Sequence, residues 1–208
     1  RVEHQRKLID AEMGQENASY KVTHKCKDGR GVYSFCMCPG GYVVNASSEE
    51  GCLCVNGMSY SKRNGDNSNS AIVVTVAPED YGGDKDDPLC GIRFQRELER
   101  KAYTEGNGGI PYQRYEDFRN NKSSGSYGKI KPQCRGKYTF GNIRNILPEY
   151  ICDDICEGME NFSKQISGYS DEDTLISAVE RRTSSPLRIL RDSIMQSDIR
   201  GIFPVGEG

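Results

Sequence analysis

Nine cysteines in 208 residues carry the densest chemistry in this chain, and four of them form two Cys-x-Cys pairs, Cys36/Cys38 and Cys52/Cys54. Strand alternation would turn both thiols of a pair to one face, so the sulfurs could converge if the two strands were neighbours. Zinc held by thiolates is one reading of that pattern. The spacing departs from the Cys-x-x-Cys bend that wraps a structural metal, and small apolar thiols facing a core are common. A redox role for Cys36 or Cys38 stands beside plain packing, and no metal is assigned. Cys152 and Cys156 lie at i and i+4 beside an apolar stripe and read as core thiols. His4 and His24 are the only histidines and neither adjoins a cysteine pair, which leaves a mixed Cys/His site or a catalytic triad little to build on.

A second feature is the ending, Ile199-Arg-Gly-Ile-Phe-Pro-Val-Gly-Glu-Gly208. The apolar run reads as a buried strand delivering Glu207, with the backbone of Gly206 and Gly208, to a polar ligand. Such a turn normally leads into a helix whose terminal amides receive a phosphate. The expectation is a nucleotide-type site cut at its entrance, in a chain excised from a longer protein. Two polar segments add anion-binding groups: Met58, Ser59 and Arg63 after a strand, and Arg182, Ser184, Ser185 and Arg188 around a proline turn. Gly-x-Gly-x-x-Gly after a strand, a Walker-type loop and a His-Glu-x-x-His helix are all missing.

Composition narrows the classes. Lys plus Arg is 28 and Asp plus Glu is 30, a net charge of -2 that argues against a dedicated nucleic-acid binder. No apolar run reaches membrane-spanning length, since the best, Ala71 to Ala77, is strand-sized. The odd cysteine count and the absence of a signal-peptide core lead us to expect reduced thiols in the cytoplasm.

The elements that must position these groups read as follows. The stretch to about Gly14 is short and charged, a connection. Tyr20 to Cys26 alternates like an edge strand, and Asp28-Gly29 turns the chain. Gly31 to Cys38 is the clearest strand, with Tyr33, Phe35 and Met37 on one face and Val32, Cys36 and Cys38 on the other. Pro39-Gly40-Gly41 turns it into Tyr42 to Ala46. Cys52 to Val55 and Ala71 to Val76 read as strands, the second apolar on both faces and so central. A helix follows Asp87-Pro88, with Cys90, Phe94, Leu98 and Ala102 at spacings of four. Arg119 to Gly128 reads as a loop. Pro148 opens the strongest helix, striped by Ile151, Ile155, Met159, Phe162 and Ile166. Thr174 to Val179, Leu187 to Leu190 and Ile199 to Val205 complete the set as short strands. The sum is an α+β fold, a mostly antiparallel or mixed β-sheet with a few packed helices.

Gly31-Val-Tyr-Ser-Phe-Cys-Met-Cys-Pro-Gly-Gly41, Ala46-Ser-Ser-Glu-Glu-Gly51, Asn56-Gly-Met-Ser59, Asn69-Ser-Ala71, Arg182-Thr-Ser-Ser-Pro-Leu-Arg188 and Ile202-Phe-Pro-Val-Gly-Glu-Gly208 together resemble the uncharacterised bacterial FAD-dependent oxidoreductase (dehydrogenase) family. Arg1-Val-Glu-His4 is similar to that family's entry into this region. The resemblance implies FAD in the parent protein and none in this fragment. It also implies a partner, an N-terminal Rossmann-type domain of the same parent chain. Residues 1–19 would connect to that domain, 20–198 would form the substrate-side domain, and 199–208 would begin the C-terminal FAD-binding segment. By the same resemblance Cys38, Pro39, Gly40 and Gly41 would face the flavin, and Glu207 would meet its ribityl chain. Met58, Ser59, Arg63, Arg182, Ser184, Ser185 and Arg188 would serve an unknown small substrate. A non-enzymatic scaffold or a zinc-stabilised domain is the alternative.

Overall fold

The computed structural model describes residues 1–13, 21–83, 87–180 and 188–205. The chain divides into two compact units, residues 1–76 with 98–181 and residues 77–97 with 182–208. The described strands all belong to the first. They are β1 (Val2–Gln5), β2 (Val22–Lys25), β3 (Gly31–Cys38), β4 (Gly41–Asn45), β5 (Val55–Ser59), β6 (Asn67–Val74), β7 (Ile110–Arg114), β8 (Cys134–Arg135), β9 (Tyr138–Phe140) and β10 (Leu175–Ser177). Seven of them form a sheet in the order β2-β3-β6-β1-β10-β7-β9, antiparallel except for β7 beside β9. A smaller sheet, β5-β4-β8, is antiparallel between β4 and β5 and parallel between β4 and β8. With four helices, α1 (Arg6–Met13), α2 (Cys90–Glu105), α3 (Tyr115–Arg119) and α4 (Glu149–Phe162), the fold is α+β with mixed sheets.

Helix α4 lies against one face of the large sheet because its stripe is continuous: Ile151, Ile155, Met159 and Phe162 are all buried. Each such side chain contributes about 1.5–3 kcal/mol by leaving water. Gly158 lets the helix backbone approach β3, since a Cβ there would meet the Val32 side chain. Ile166 is buried in the turn beyond the helix, which ends at Phe162. The other face of the large sheet receives the small one, where Gly57 of β5 sits over Asn69 of β6.

Several expectations shift. Val2–Gln5, read as a connection, is a strand in the middle of the large sheet, between β6 and β10. Its charged residues hid it, because Glu3 and His4 are buried but hydrogen-bonded rather than solvated. Asn67 to Ser70, read as loop, opens the central strand β6, its side chains hydrogen-bonded to neighbouring segments apart from Asn69 Nδ2. Cys52 to Cys54 is not a strand: Leu53 donates to the Glu99 carbonyl and Cys54 to the Ser47 hydroxyl, and pairing starts at Val55. The β3 alternation breaks at a bulge between Phe35 and Cys38, with Cys36 at φ 51, so Cys36 turns outward. In the second unit, Arg188 to Leu190 and Ile199 to Val205 pair with no described strand (Leu187 lies outside the described residues), and Ile199, Phe203 and Val205 are exposed rather than buried. Arg119 closes α3 instead of opening a loop.

His4 gives the fold a pH dependence. Its Nε2–H donates to the Tyr169 carbonyl at 2.7 Å, the ring lies tilted against Tyr169 at 4.4 Å, and Nδ1 has no partner among the described residues. Burial drops its pKa to about 4, below the ordinary 6.5. The unfolded chain therefore takes up a proton that the native chain refuses. The stability so gained is complete above about pH 6.5 and is lost as pH falls toward 4, up to roughly 3 kcal/mol. Glu3, which burial pushes above the usual carboxyl range, acts oppositely: its contribution is present at low pH and is lost as pH rises. Denaturant melts of the wild type and His4→Gln at pH 7 and pH 5 should show a smaller acid loss in the variant. Equal losses would remove His4 as the cause.

Candidate functional site

The polar start of β6, the end of β3 and the first residue meet on the sheet face covered by the small sheet. Alternation along β1 sends Arg1 and Glu3 to this face, and the antiparallel register sets Glu3 opposite Asn69. The Arg1 side chain is 1% exposed. Its Nε donates to Asn69 Oδ1 at 2.8 Å, and Nη1 donates to Glu180 Oε1 at 2.9 Å and to Asn56 Oδ1 at 3.4 Å. Its Nη2 donates to the Cys36 carbonyl at 2.8 Å and lies 3.7 Å from Cys38 Sγ. Gly57 makes room for this guanidinium, because a Cβ there would overlap it and the Asn69 amide. Among the described residues, Asn69 Nδ2 and Glu180 Oε2 are buried without a hydrogen-bond partner. One guanidinium thus holds a side-chain pair that still offers one donor and one acceptor. Buried groups of this kind are rare enough to call for a ligand or water.

The turn above this cluster comes from sequence chemistry. The bulge at Cys36 places its carbonyl toward Arg1, and Pro39 and Gly40 then reverse the chain into β4. Gly40 has φ 51, and a Cβ on it would overlap the Arg63 carbonyl, while a Cβ on Gly41 would overlap that of Met58. Gly40 N–H donates to Ser68 Oγ at 3.1 Å and its carbonyl accepts from Gly65 N at 3.0 Å. The glycines therefore serve contact of the chain with itself. The sequence had allowed a ligand in that space.

Register brings Met58 and Ser59 to the turn, since Gly41 pairs with Ser59 and Tyr42 with Met58. Met58 is half exposed, and Tyr42 and Tyr60 lie 4.7 Å apart with the Arg135 guanidinium 5.3 Å from the first ring and 5.8 Å from the second. Cys38, Pro39, Gly40, Gly41, Met58, Ser59 and Arg63 are thus gathered into one place. Arg188 is exposed in the second unit, and Arg182, Ser184, Ser185, Gly206, Glu207 and Gly208 lie outside the described residues.

Burial pushes the Cys38 thiol pKa up, against the opposing pull of the Arg1 guanidinium and the Ser59 hydroxyl. The group is a thiol at neutral pH rather than an activated nucleophile. No disulfide joins the nine cysteines, and the two Cys-x-Cys pairs differ in exposure: Cys36 is exposed whereas Cys52 and Cys54 are buried. That difference does not favour one thiolate centre built from both pairs.

Arg1 and Glu180 were missed because their role needs partners 179 residues apart. Asn56 and Asn69 open motif blocks recognisable in the sequence, which was the available signal. A separate cleft of about 480 Å3 beside β1 is edged by Arg6, Lys7, Lys129 and Lys131 against Asp66. Behind it the Glu3 carboxylate accepts from Tyr112 OH at 2.6 Å, Asn67 Nδ2 at 2.9 Å and Gln133 N at 3.1 Å, which satisfies it fully and marks a structural role.

Residues 1–183 match the model of the family described as FAD-dependent protein, C-terminal domain-like. The chain is also 43% identical over 220 residues to an uncharacterised protein of Clostridium beijerinckii, an alignment covering 100% of this chain and 41% of the relative. The chain thus spans about two fifths of that relative's length. Among the described residues, no helix is long and apolar enough to cross a membrane.

Proposed function

Because the chain belongs to the FAD-dependent protein, C-terminal domain-like family, we propose that it is the substrate-side domain of a cytoplasmic FAD-dependent oxidoreductase of the dehydrogenase type. An N-terminal Rossmann-type domain of the same parent chain completes the cofactor site, together with Gly206, Glu207 and Gly208. The observation that carries this reading is the buried Arg1 cluster with its open donor, Asn69 Nδ2, and open acceptor, Glu180 Oε2.

That donor set fits a flavin, whose pyrimidine edge alternates carbonyl acceptors with an N–H donor. Asn69 and Glu180 would hold such an edge, and Arg1 keeps both rigid through its own hydrogen bonds. FAD, when bound, supplies the two-electron redox chemistry. Arg1 fixes a positive charge at the site in a place from which water is excluded, where its field is strong. Met58, Ser59 and Arg63 shape the approach for a small substrate, and the Tyr42/Tyr60 surface gives it an aromatic wall. Cys38, held as a thiol, packs the site. A plain scaffold would give no reason for two unpaired polar atoms on a buried ion pair.

Full-length protein should carry stoichiometric flavin, and the 208-residue chain alone should be colourless. In the full-length protein, Asn69→Leu, close to isosteric but without the amide, should lower flavin content and slow bleaching by NADH or NADPH. Full-length protein without flavin absorbance, or an isolated chain that retains it stoichiometrically, would overturn the reading.

A further inference from the structure

The edge strand β2 carries a second set of donors, facing α4 and unrelated to the flavin reading. His24 pairs with Val32, which packs beneath Gly158 of α4, so His24 and its alternation partner Cys26 look toward that helix. One turn of α4 sets Asp154 and Glu157 against them. His24 Nε2 lies 2.9 Å from Glu157 Oε1, and these atoms and Cys26 Sγ all lie within 4.8 Å of one another. Cys26 and Asp154 are buried, and Asp154 Oδ2 has no partner among the described residues.

We propose that His24 Nε2, Cys26 Sγ and Glu157 Oε1 form a binding site for a zinc-class divalent cation that ties β2 to α4. Ligand type selects the metal: imidazole and thiolate suit zinc, whereas magnesium and calcium take oxygen sets. Tetrahedral zinc bonds of about 2.0–2.3 Å put neighbouring ligand atoms roughly 3.3–3.6 Å apart. The His24–Glu157 pair need open by only a few tenths of an ångström, and Cys26 Sγ need close by roughly 1.2–1.5 Å at most. Three carboxylates, Asp154, Glu157 and Asp28, act on the thiol, and Arg30 answers Asp28 at 3.0 Å. Asp154 stands beside Cys26 to orient it, and the fourth position is left to water. Binding forms a metal–sulfur bond, leaves the neutral His24 ring with its proton on Nδ1 instead of Nε2, and releases one proton, from the Cys26 thiol, to solvent. The third ligand stands 133 residues from the histidine.

Cobalt titration of the chelator-treated 208-residue chain tests the site. One equivalent of Co2+ should produce a near-ultraviolet thiolate-to-cobalt charge-transfer band that Zn2+ abolishes. Cys26→Ser should lose the band, and Cys36→Ser, at an exposed thiol, should keep it. His24→Gln, at a side chain 20% exposed and outside the buried core, should weaken binding by about 10–100-fold or more, the loss seen even for outer-shell partners. Zinc should raise the melting temperature of the wild type but not of His24→Gln. Absence of the band, its survival in Cys26→Ser, its loss in Cys36→Ser, or equal affinity in His24→Gln would each overturn the assignment.

Discussion

Arg1→Met is expected to destabilise the domain by about 3–5 kcal/mol, the cost of leaving one partner of a buried ion pair unmatched. The guanidinium is 1% exposed and the Glu180 side chain 13%, so solvent screens little of their 2.9 Å contact. Removing Arg1 also strands the amide oxygen of Asn69 and leaves the Cys36 carbonyl only the Cys38 thiol at 3.7 Å. Glu180→Met should cost less, because the guanidinium keeps its three remaining acceptors. The double variant should fall well short of the sum, since two apolar side chains of similar size can replace a buried pair at little net cost. Urea denaturation of the four proteins completes the cycle. Additive losses within about 0.5 kcal/mol would mean that the two residues do not act as a pair.

Gly40→Val should be nearly as damaging, at about 3 kcal/mol or more. Two costs combine: a left-handed backbone for a side chain that rejects it, about 1–2 kcal/mol, and overlap with the Arg63 carbonyl, about 1–3 kcal/mol. Gly51 separates them. It has φ 69 with open space around its Cβ, so Gly51→Val should bear the backbone cost alone. The measurement is the midpoint of denaturation for both variants. Equal losses would show that the turn yields around position 40 and that its packing against Arg63 carries no weight. The same geometry predicts that Gly40→Val damages folding before any ligand chemistry.

Where side-chain periodicity was strong, the sequence was a reliable guide. The α4 stripe from Ile151 to Phe162 and the eight residues of β3 could be read directly, because apolar burial dictates both patterns. It failed where strands bury polar groups. Asn67 to Ser70 and Arg1 to His4 look solvated, yet most of their buried polar atoms find partners supplied by distant segments. The end of the chain failed the opposite way: apolar Ile199 to Val205 resembles a buried strand, but no described strand pairs with it.

The candidate site divides along the same line. Cys38 to Gly41 and Met58 to Ser59 were identifiable as motifs, since glycine turns and motif blocks are local in sequence. Their convergence was not, because it depends on the Gly41–Ser59 register. Neither the Arg1–Glu180 pair nor the His24, Cys26 and Glu157 cluster could be read beforehand.

The sequence by itself determined the α+β class, the α4 helix, the bulk of β3 and the glycine turn. These follow from local backbone freedom and from the spacing of apolar side chains. Tertiary structure alone decided that a charged N-terminal stretch sits at the centre of the large sheet and that Arg1 is its buried cation. It also decided that the glycines of the turn close on Arg63 and Met58. Those outcomes rest on contacts between segments far apart in the chain, whose hydrogen bonds exist only once the sheet has been assembled.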